Sequence, residues 1–345
     1  MAVRGPALAM VLATTLLAGC EPGPQSQFDT YQTRVASVLE RPAPATVPVT
    51  PIPFPPQRDL QLTIPDLRVG LLDMLTLNRC GLGALVAERN SPLGRSADHF
   101  SRLDYEWQLI QRLDACHSED PQTRLWLADL ARQKRAVLNA RFWNALVSSQ
   151  ELRRALSPRP TPLAPDASLV ETRQALLTLL QWRDGVLAAE TLRSSKALPS
   201  LPPLTPALES LYRDRGLARL LYSLELATAR LNQSAQQIEQ ASLDDACPAT
   251  DSNRAVRLRG ALGHYYGGAI QPWLTGLDRQ FRATAPLLER LLTPLTPQPA
   301  LSPWRQRYGL GLQSQAWLAF RAASLRHAHG WQRILAACAA RHPAP

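Results

Sequence analysis

Hydrophobic positions along this chain recur at steps of three and four residues, the spacing of a helix that buries one face. The clearest stripe consists of Leu217, Leu221, Leu224, Thr228, Leu231, Ala235 and Ile238. A second stripe consists of Trp317, Phe320, Ser324, His327, Trp331, Ile334 and Cys338. No alternating run of β-branched residues competes with these stripes. The pattern therefore predicts an all-α fold, a multi-helix, bundle-like domain.

Proline marks the boundaries of the predicted helices. A capping residue directly before proline is the signature of a helix N-terminus. This pair occurs at Ser91-Pro92, Asp120-Pro121, Thr205-Pro206 and Ser302-Pro303. Proline-rich breaks fall at 158–165, 199–206 and 294–303. We expect an all-helical domain over 64–345 with Pro-rich connections, and a division into two lobes, if there is one, near 157–165 or 199–206.

A short helix and an extended segment precede this domain and together cover 28–63. The stretch FDTYQTRVASVLE places Phe28, Tyr31 and Val35 on one face, which predicts a small amphipathic helix. The following stretch, 42–56, contains seven prolines, so it cannot form the interior of a helix or sheet and should run extended. Its apolar residues favour packing against the domain.

The first residues have the pattern of a lipoprotein signal peptide. Arg4 gives a basic lead, and the apolar run over 7–17 is shorter than the roughly 20 residues of a membrane-spanning helix. The run ends in Leu17-Ala18-Gly19-Cys20, which resembles the bacterial lipobox. We expect a signal peptide over 1–19, acylation of the Cys20 thiol and a lipidated tether over 20–27.

This lipid anchor determines the expected location. Each buried CH₂ group contributes about 0.8 kcal/mol, so several acyl chains hold a protein to a membrane permanently. The mature chain should lie on the periplasmic side of the cell envelope. Glu21 follows the lipidated cysteine and is not the Asp that resembles an inner-membrane retention signal. The sequence therefore predicts an outer-membrane lipoprotein.

The charge of the chain raises the question of a polyanionic partner. The formal net charge is +10, from 38 Lys and Arg against 28 Asp and Glu. Such a balance is typical of nucleic-acid binding, but export separates the protein from nucleic acid, and its arginines are scattered. We expect no nucleic-acid partner. An anionic envelope polymer is the functional alternative to a merely Arg-rich composition.

Four cysteines remain beyond Cys20, and they are Cys80, Cys116, Cys247 and Cys338. An even number in an oxidising compartment predicts two disulfides, for which three pairings are possible. We favour Cys80–Cys116 and Cys247–Cys338 because each pair lies within its own half of the chain. Each bond should stabilise the fold by about 3–5 kcal/mol through loop entropy. The rival interpretation is metal ligation, which no CxxC or Cys/His cluster supports.

The chain carries no motif of a known catalytic class, since GxSxG, HExxH, Walker and GxGxxG patterns are missing from it. We therefore predict neither a metal nor a cofactor. Three residues are candidates for a pocket or for acid–base chemistry. Glu106 lies between two aromatic residues, His264 precedes a Tyr-Tyr-Gly-Gly run, and His327 lies on the second stripe. A helix kink near His264 and a hydrogen-bonded core position for His327 are the plainer interpretations.

The junction Asn90-Ser91-Pro92 has a structural and a functional interpretation. Asn90 can end one helix in a left-handed conformation, and Ser91-Pro92 can start the next. The functional alternative is that Arg89, Asn90 and Arg95 bind an anionic group at the new helix N-terminus.

Four segments of the chain form a set: the lipobox, FDTYQTRVASVLE, CGLGALVAERNSPLGR at 80–95 and RLDYEWQLIQRLDAC at 102–116. Together they resemble the DUF3080 family, proteobacterial proteins of unknown function that are often labelled lipoproteins. The resemblance is clearest over 20–116 and looser towards the final tryptophan and cysteine. It implies an envelope lipoprotein and transfers no catalytic or binding residues.

These observations favour a non-enzymatic, lipid-anchored periplasmic protein that binds an envelope protein or another partner in the envelope. The alternative is an enzyme that acts on cell-wall or lipid substrates through Glu106 or His264 in a cleft. A third hypothesis is a small-molecule binder with a pocket lined by tryptophan. An enzyme requires titratable groups that converge in a concave site, and this requirement separates the hypotheses.

Overall fold

The computed structural model describes residues 23–65, 77–78, 80–191, 198–294 and 296–341. Its regular structure is helical, and these residues contain no β-strand, so the all-α prediction is confirmed. The α-helices are α1 (Pro24–Val38), α2 (Gly83–Asn90), α3 (Pro92–Ser96), α4 (His99–Ala115), α5 (Pro121–Ala136), α6 (Leu138–Ser148), α7 (Gln150–Leu156), α8 (Val170–Thr191), α9 (Thr205–Asp214), α10 (Gly216–Glu239), α11 (Leu243–Ala246), α12 (Ser252–Gly260), α13 (Gln271–Leu291), α14 (Ser302–Tyr308) and α15 (Gln315–Arg341). A π-helix, Ala261–Ile270, joins α12 to α13. The predicted signal peptide and Cys20 lie outside the described residues.

Helices begin at all four predicted pairs, but α9 and α14 begin at Thr205 and Ser302 themselves, so the capping role predicted for these two residues is wrong. The α3 and α5 helices begin at the prolines that follow Ser91 and Asp120, whose side chains accept hydrogen bonds from the first turn. The left-handed helix end predicted at Asn90 is wrong. Helix α2 ends there because Ser91 is already extended, with φ −62° and ψ 162°, and the described non-glycine residues with positive φ are Glu40 and Arg215.

Helices α10 and α15 form the principal seam of the core. The two predicted stripes lie in this seam and are buried, apart from the half-buried Thr228 and Ser324. The helices approach closely at Gly330, where a Cβ atom would lie 3.3 Å from Ile238 Cγ2. The main hydrophobic core contains residues on both sides of the two breaks at which a division into lobes was considered.

Both predicted cysteine pairs are confirmed as disulfides. The Cα atoms of Cys247 and Cys338 are 5.3 Å apart, and this bond closes one end of the α10–α15 seam. The Cα atoms of Cys80 and Cys116 are 5.4 Å apart. The second bond belongs to a smaller hydrophobic cluster, separate from the main core, that includes Leu82, Leu109 and Leu127.

Helix α1 begins at Pro24, inside the stretch predicted as tether. Phe28 and Tyr31 are fully buried and Val35 is nearly so, which confirms the predicted apolar face. Only residues 21–23 therefore separate Cys20 from a helix that packs on the main core.

The Pro-rich connections run extended and are held by side chains. Proline has no N–H, and such segments cannot pair as a ladder, so their backbone groups need other partners. Indole N–H groups supply several of them: Trp107 donates to Pro199, Trp143 to Leu60, Trp182 to Pro202 and Trp273 to Leu163. These four tryptophans are therefore core residues that also fix the connections.

Candidate functional site

An open cleft of about 880 Å³ lies where the start of α4, the α6–α7 junction and α9 meet. Its apolar wall is formed by Phe100, Ala145 and Leu208, with the exposed ring of Tyr212 at the rim. A cleft of this size suits a ligand of several hundred daltons.

The start of α4 places His99 in this cleft. Asp98 caps the helix, because its Oδ1 accepts hydrogen bonds from Phe100 N at 2.8 Å and Ser101 N at 3.0 Å. Burial alone would raise the pKa of Asp98, but these bonds and the Ser101 hydroxyl outweigh burial and hold the pKa below its ordinary value. Asp98 is therefore an ionised cap that fixes the position of His99.

The α6–α7 junction and α9 supply the polar rim. Ser149 caps α7 by accepting from Leu152 N at 3.1 Å, and its hydroxyl donates to Glu151 Oε2 at 2.7 Å. On α9, Arg213 and Glu209 form an exposed ion pair. The guanidinium of Arg154 lies 4.5 Å from the centroid of Tyr212, a cation–π contact that steadies this ring.

A smaller pocket of about 260 Å³ adjoins the cleft at His99, which lines both. Its charged lining consists of Arg102 and Arg141. Arg102 Nη2 donates to the Arg95 carbonyl at 2.7 Å, and Arg141 Nη2 lies 3.2 Å from Glu106 Oε1. The Nε atoms of both arginines are buried and have no hydrogen-bond partner among the described residues. We call this feature the arginine pocket.

The position of His99 between the two cavities affects its protonation. Burial, and then the charge of Arg102, lower the pKa of His99 below its ordinary value. The imidazole is therefore neutral at pH 7 and can both donate and accept a hydrogen bond.

Glu106 is the counter-ion behind the arginine pocket. It is 5% exposed, and its carboxylate lies 3.0 Å from Lys134 Nζ as well as 3.2 Å from Arg141. One carboxylate faces two cations, so positive charge remains on this wall. Burial, and then the charge of Glu106, raise the pKa of Tyr105 to about 12. The structure thus places Glu106 in a buried ion pair rather than in the open cleft.

His327 belongs to a buried cluster with Tyr31, Tyr266 and Trp331. Trp331 Nε1 donates to Tyr31 Oη at 2.7 Å, and Tyr31 Oη lies 2.7 Å from His327 Nε2. Trp331 Nε1 also donates to His327 Nε2 at 3.3 Å, so Nε2 is an acceptor, the tyrosine hydroxyl donates to it, and the imidazole proton resides on Nδ1. Burial lowers the pKa of His327 to about 4 and raises that of Tyr31. The cluster joins α1 to α15 and does not line the cleft.

His264 lies exposed on the π-helix, with its ring centroid 4.8 Å from that of Tyr265. The wider turns of a π-helix occur at the place where the sequence suggested a kink. This widening turns Tyr266 towards His327, where the two ring centroids are 4.4 Å apart. His264 is thus part of neither cavity.

The arginines predicted to bind an anion near Asn90 contact backbone carbonyls instead. Arg89 Nη1 donates to Gly94 O at 2.9 Å, and Arg95 Nη1 donates to Asn90 O at 2.8 Å. These bonds brace the corner between α2 and α3. The Arg95 carbonyl in turn accepts from Arg102, so the corner supports the arginine pocket indirectly.

The candidate residues predicted from the sequence therefore lie in different parts of the fold and do not form one site. The sequence reasoning missed His99, Arg102, Arg141 and Tyr212, which come from three helices with no fixed spacing. The only available signal was the Asp98 cap, which predicts a helix that starts at His99. Within the described residues no cluster of His, Cys, Asp and Glu could hold a metal ion, and no helix is long and apolar enough to cross a membrane.

Comparison with known proteins adds one finding. A family model described as a protein of unknown function, DUF3080, matches residues 28–342. No curated protein and no solved structure matches the chain. The matched stretch includes both disulfides, the cleft and the arginine pocket.

Proposed function

This chain belongs to the DUF3080 family of proteins of unknown function, and from that premise we propose that it is a lipid-anchored periplasmic protein that binds an envelope component. The binding site is the cleft between α4, α6, α7 and α9. The role is binding rather than catalysis. The observation that carries the proposal is the pair of disulfides in a chain that also contains the Leu17-Ala18-Gly19-Cys20 lipobox.

The disulfides support export. Structural disulfides persist in the periplasm and at cell surfaces and are rare in reducing compartments. The lipobox supports the same compartment through an independent part of the chain. The localisation to the outer membrane rests on Glu21 alone.

The early start of α1 determines how the body is held. A trans peptide chain spans at most 3.8 Å between successive Cα atoms, so the stretch from Cys20 to Pro24 reaches about 15 Å. An acylated Cys20 therefore keeps the helical body against the membrane surface. A ligand of the cleft must be available there, which favours a component of the membrane or of the adjacent envelope.

The position of the predicted catalytic candidates supports binding over the enzyme alternative. Glu106 is paired with two cations, His264 lies on the π-helix, and His327 lies in the core. An enzyme of the proposed alternative class needs two such groups at one concave site. The carboxylates that do line the cleft are engaged otherwise, since Asp98 caps α4, Glu151 accepts a hydrogen bond from Ser149, and Glu209 pairs with Arg213.

The anchor is tested by replacing the thiol that carries it. We expect that Cys20→Ser abolishes labelling by an alkyne fatty acid and either releases the protein into the soluble fraction or leaves it unprocessed. Serine at Cys80 and Cys116 together serves as the matched control and should leave labelling intact. Normal maturation and unchanged membrane association of Cys20→Ser would contradict the proposal.

The binding role is tested by crosslinking in intact cells. A benzophenone amino acid in place of Tyr212, at the cleft rim, should give an ultraviolet-dependent adduct. The same amino acid in place of Leu318, which is exposed on α15, is the control and should give none. Equal adducts at both positions, or none at Tyr212, would count against the cleft.

A further inference from the structure

We infer that the occupant of the cleft is an amphiphile whose phosphate or carboxylate group binds in the arginine pocket, while its apolar part lies against Phe100, Leu208 and Tyr212. This inference rests on the proposed function and specifies the ligand chemistry of the same site. It follows from the charge, the unsatisfied donors and the shape of the two adjoining cavities.

The charge of the pocket selects an anion. Arg102 and Arg141 line the pocket, and Glu106, the carboxylate that pairs with Arg141, is shared with Lys134, so the wall has an excess of positive charge. Arg102 contacts a backbone carbonyl and forms no ion pair with any described residue. An anion that binds at this half-buried wall gains charge-assisted hydrogen bonds from the guanidinium groups.

The unsatisfied donors indicate where the anion binds. The Nε atoms of Arg102 and Arg141 are both buried without a hydrogen-bond partner in the described chain. Arginine presents several N–H donors in a planar fork that fits the oxygens of phosphate and carboxylate. Such a group in the pocket can bind the outer N–H groups of these forks, and the neutral imidazole of His99, which lines both cavities, can hydrogen-bond to it.

The adjoining cleft determines the rest of the ligand. The cleft is more than three times as large as the arginine pocket, about 880 against 260 Å³, and its inner wall is apolar. Its lining contains three carboxylates, Asp98, Glu151 and Glu209, against the one guanidinium of Arg213, and this excess of negative charge disfavours a second anionic group. The ligand therefore carries negative charge at one end only, and its larger part is apolar.

Binding is measured by calorimetric titration of the full mature chain held in a nonionic detergent. The probes are dioctanoyl-phosphatidic acid, decanoate, dioctanoylglycerol and inorganic phosphate. Hydrogen bonds to charged groups contribute about 1.5–3 kcal/mol, so we expect at least about tenfold tighter binding of dioctanoyl-phosphatidic acid than of dioctanoylglycerol. The stronger of the two anionic amphiphiles identifies the source of the group, phospholipid or fatty acid.

The variants locate the anionic group. Arg102→Gln should weaken dioctanoyl-phosphatidic acid binding about tenfold and leave dioctanoylglycerol binding unchanged. Arg159→Gln, at an exposed arginine outside both cavities, is the matched control and should have no effect. Arg141→Gln also removes a partner of Glu106, so a thermal unfolding curve must show that this variant is still folded. The comparison of the four ligands on the parent chain needs no variant.

The outcomes distinguish failure of the inference about the ligand from failure of the proposed use of the cleft. Equal binding of the anionic and neutral amphiphiles, with no effect of Arg102→Gln, overturns the inference and leaves the cleft as a binding site. Inorganic phosphate that binds as tightly as the amphiphiles also overturns it, because the apolar part would then contribute nothing. If none of the four probes binds, both the inference and the proposed use of the cleft are wrong.

Discussion

His327 is the residue whose protonation should most affect the stability of this fold. Its neutral Nε2 accepts from Tyr31, and burial lowers its pKa from 6.5 to about 4. In the unfolded chain the imidazole has its ordinary pKa, so acid protonates the unfolded state first. The stabilisation is therefore complete above pH 6.5 and is lost progressively as the pH falls towards 4.

The first prediction concerns this pH window. Between pH 6.5 and 4 the free energy of unfolding should fall by about 3 kcal/mol through His327 alone. Urea unfolding at a series of pH values measures this fall, and His327→Gln should flatten the curve over that window. His329→Gln, at an exposed position one half-turn away, is the control and should keep the pH dependence of the parent chain. A parent-like curve for His327→Gln would contradict the assignment.

The sequence predicted the burial of His327 but not its partners. The stripe on which it lies has helical spacing, and burial follows from that spacing. Tyr31 is 296 residues away in the chain, and no local pattern brings it to the imidazole. The same reason applies to the arginine pocket, since Arg102 and Arg141 lie on different helices. Local spacing reveals which face is buried, whereas pairs across the fold depend on tertiary packing.

Among the elements of the fold, the Pro-rich connections depend most on specific side chains. Leu163 shows this clearly, because its N–H donates to Ser223 Oγ at 2.8 Å and its carbonyl accepts from Trp273 Nε1 at 2.9 Å. Asn144 holds Leu62 in the same way through both backbone groups. The Pro-rich connections form no backbone ladder with each other, so side-chain hydrogen bonds to individual residues hold them in place.

The second prediction tests this arrangement. Trp273→Phe keeps an aromatic ring but leaves the buried Leu163 carbonyl without its donor, so it should lower the free energy of unfolding by about 1–3 kcal/mol. Trp126→Phe is the control, because Trp126 is half-buried on α5 and no described connection accepts from it. Denaturant unfolding measures both. Equal losses in the two variants would show that ring packing, and not the hydrogen bond, matters.

The third prediction concerns the disulfide that closes the α10–α15 seam. It encloses a separation of 91 residues, so the loop-entropy model gives a loss of about 4–5 kcal/mol when Cys247 and Cys338 are both replaced by alanine. Replacement of Cys80 and Cys116 should instead affect mainly the smaller cluster around Leu82 and Leu109. Hydrogen exchange followed by peptide mapping distinguishes the two. Faster exchange throughout α10 and α15 after replacement of Cys80 and Cys116 would show that the effects of the two disulfides are not confined to separate parts of the fold.

The elements themselves were largely predictable, and the exceptions have physical reasons. Capping residues before proline located the starts of α3 and α5 correctly. Proline has no N–H that needs a partner there, and the side chain of Ser91 or Asp120 accepts a hydrogen bond from another N–H of the first turn. The π-helix was not predicted, since its residues Ala261–Ile270 have no periodicity that distinguishes it from an α-helix. Helix α1 began earlier than its apolar face suggested because Pro24 fits the first turn, where no N–H is needed.

At the scale of the whole molecule, acylation of Cys20 would hold the helical body within about 15 Å of a membrane, which is the reach of the stretch from Cys20 to Pro24. Its net charge of +10 is compatible with an anionic surface or ligand nearby. The sequence alone predicted the fold class and the disulfide pairing. The cleft could not be predicted, because it exists only where four separate helices meet.

The fourth prediction concerns the choice of membrane. Glu21→Asp introduces the residue that resembles an inner-membrane retention signal directly after Cys20, the predicted site of acylation. We expect the variant to move from the outer-membrane to the inner-membrane fraction on a sucrose gradient. Glu21→Gln is the control and should stay with the outer membrane. If the parent chain itself fractionates with the inner membrane, the localisation inferred from Glu21 is wrong.

The intact mass of the protein purified from membranes tests the central claim most directly. The account predicts a mature chain that begins at Cys20 and carries the mass of a diacylglycerol and an additional acyl chain. Reduction should then add the hydrogens of the four remaining cysteines, because Cys80–Cys116 and Cys247–Cys338 are both oxidised. A chain that begins elsewhere, has no acyl mass or gains nothing on reduction would contradict a lipid-anchored, disulfide-bonded envelope protein.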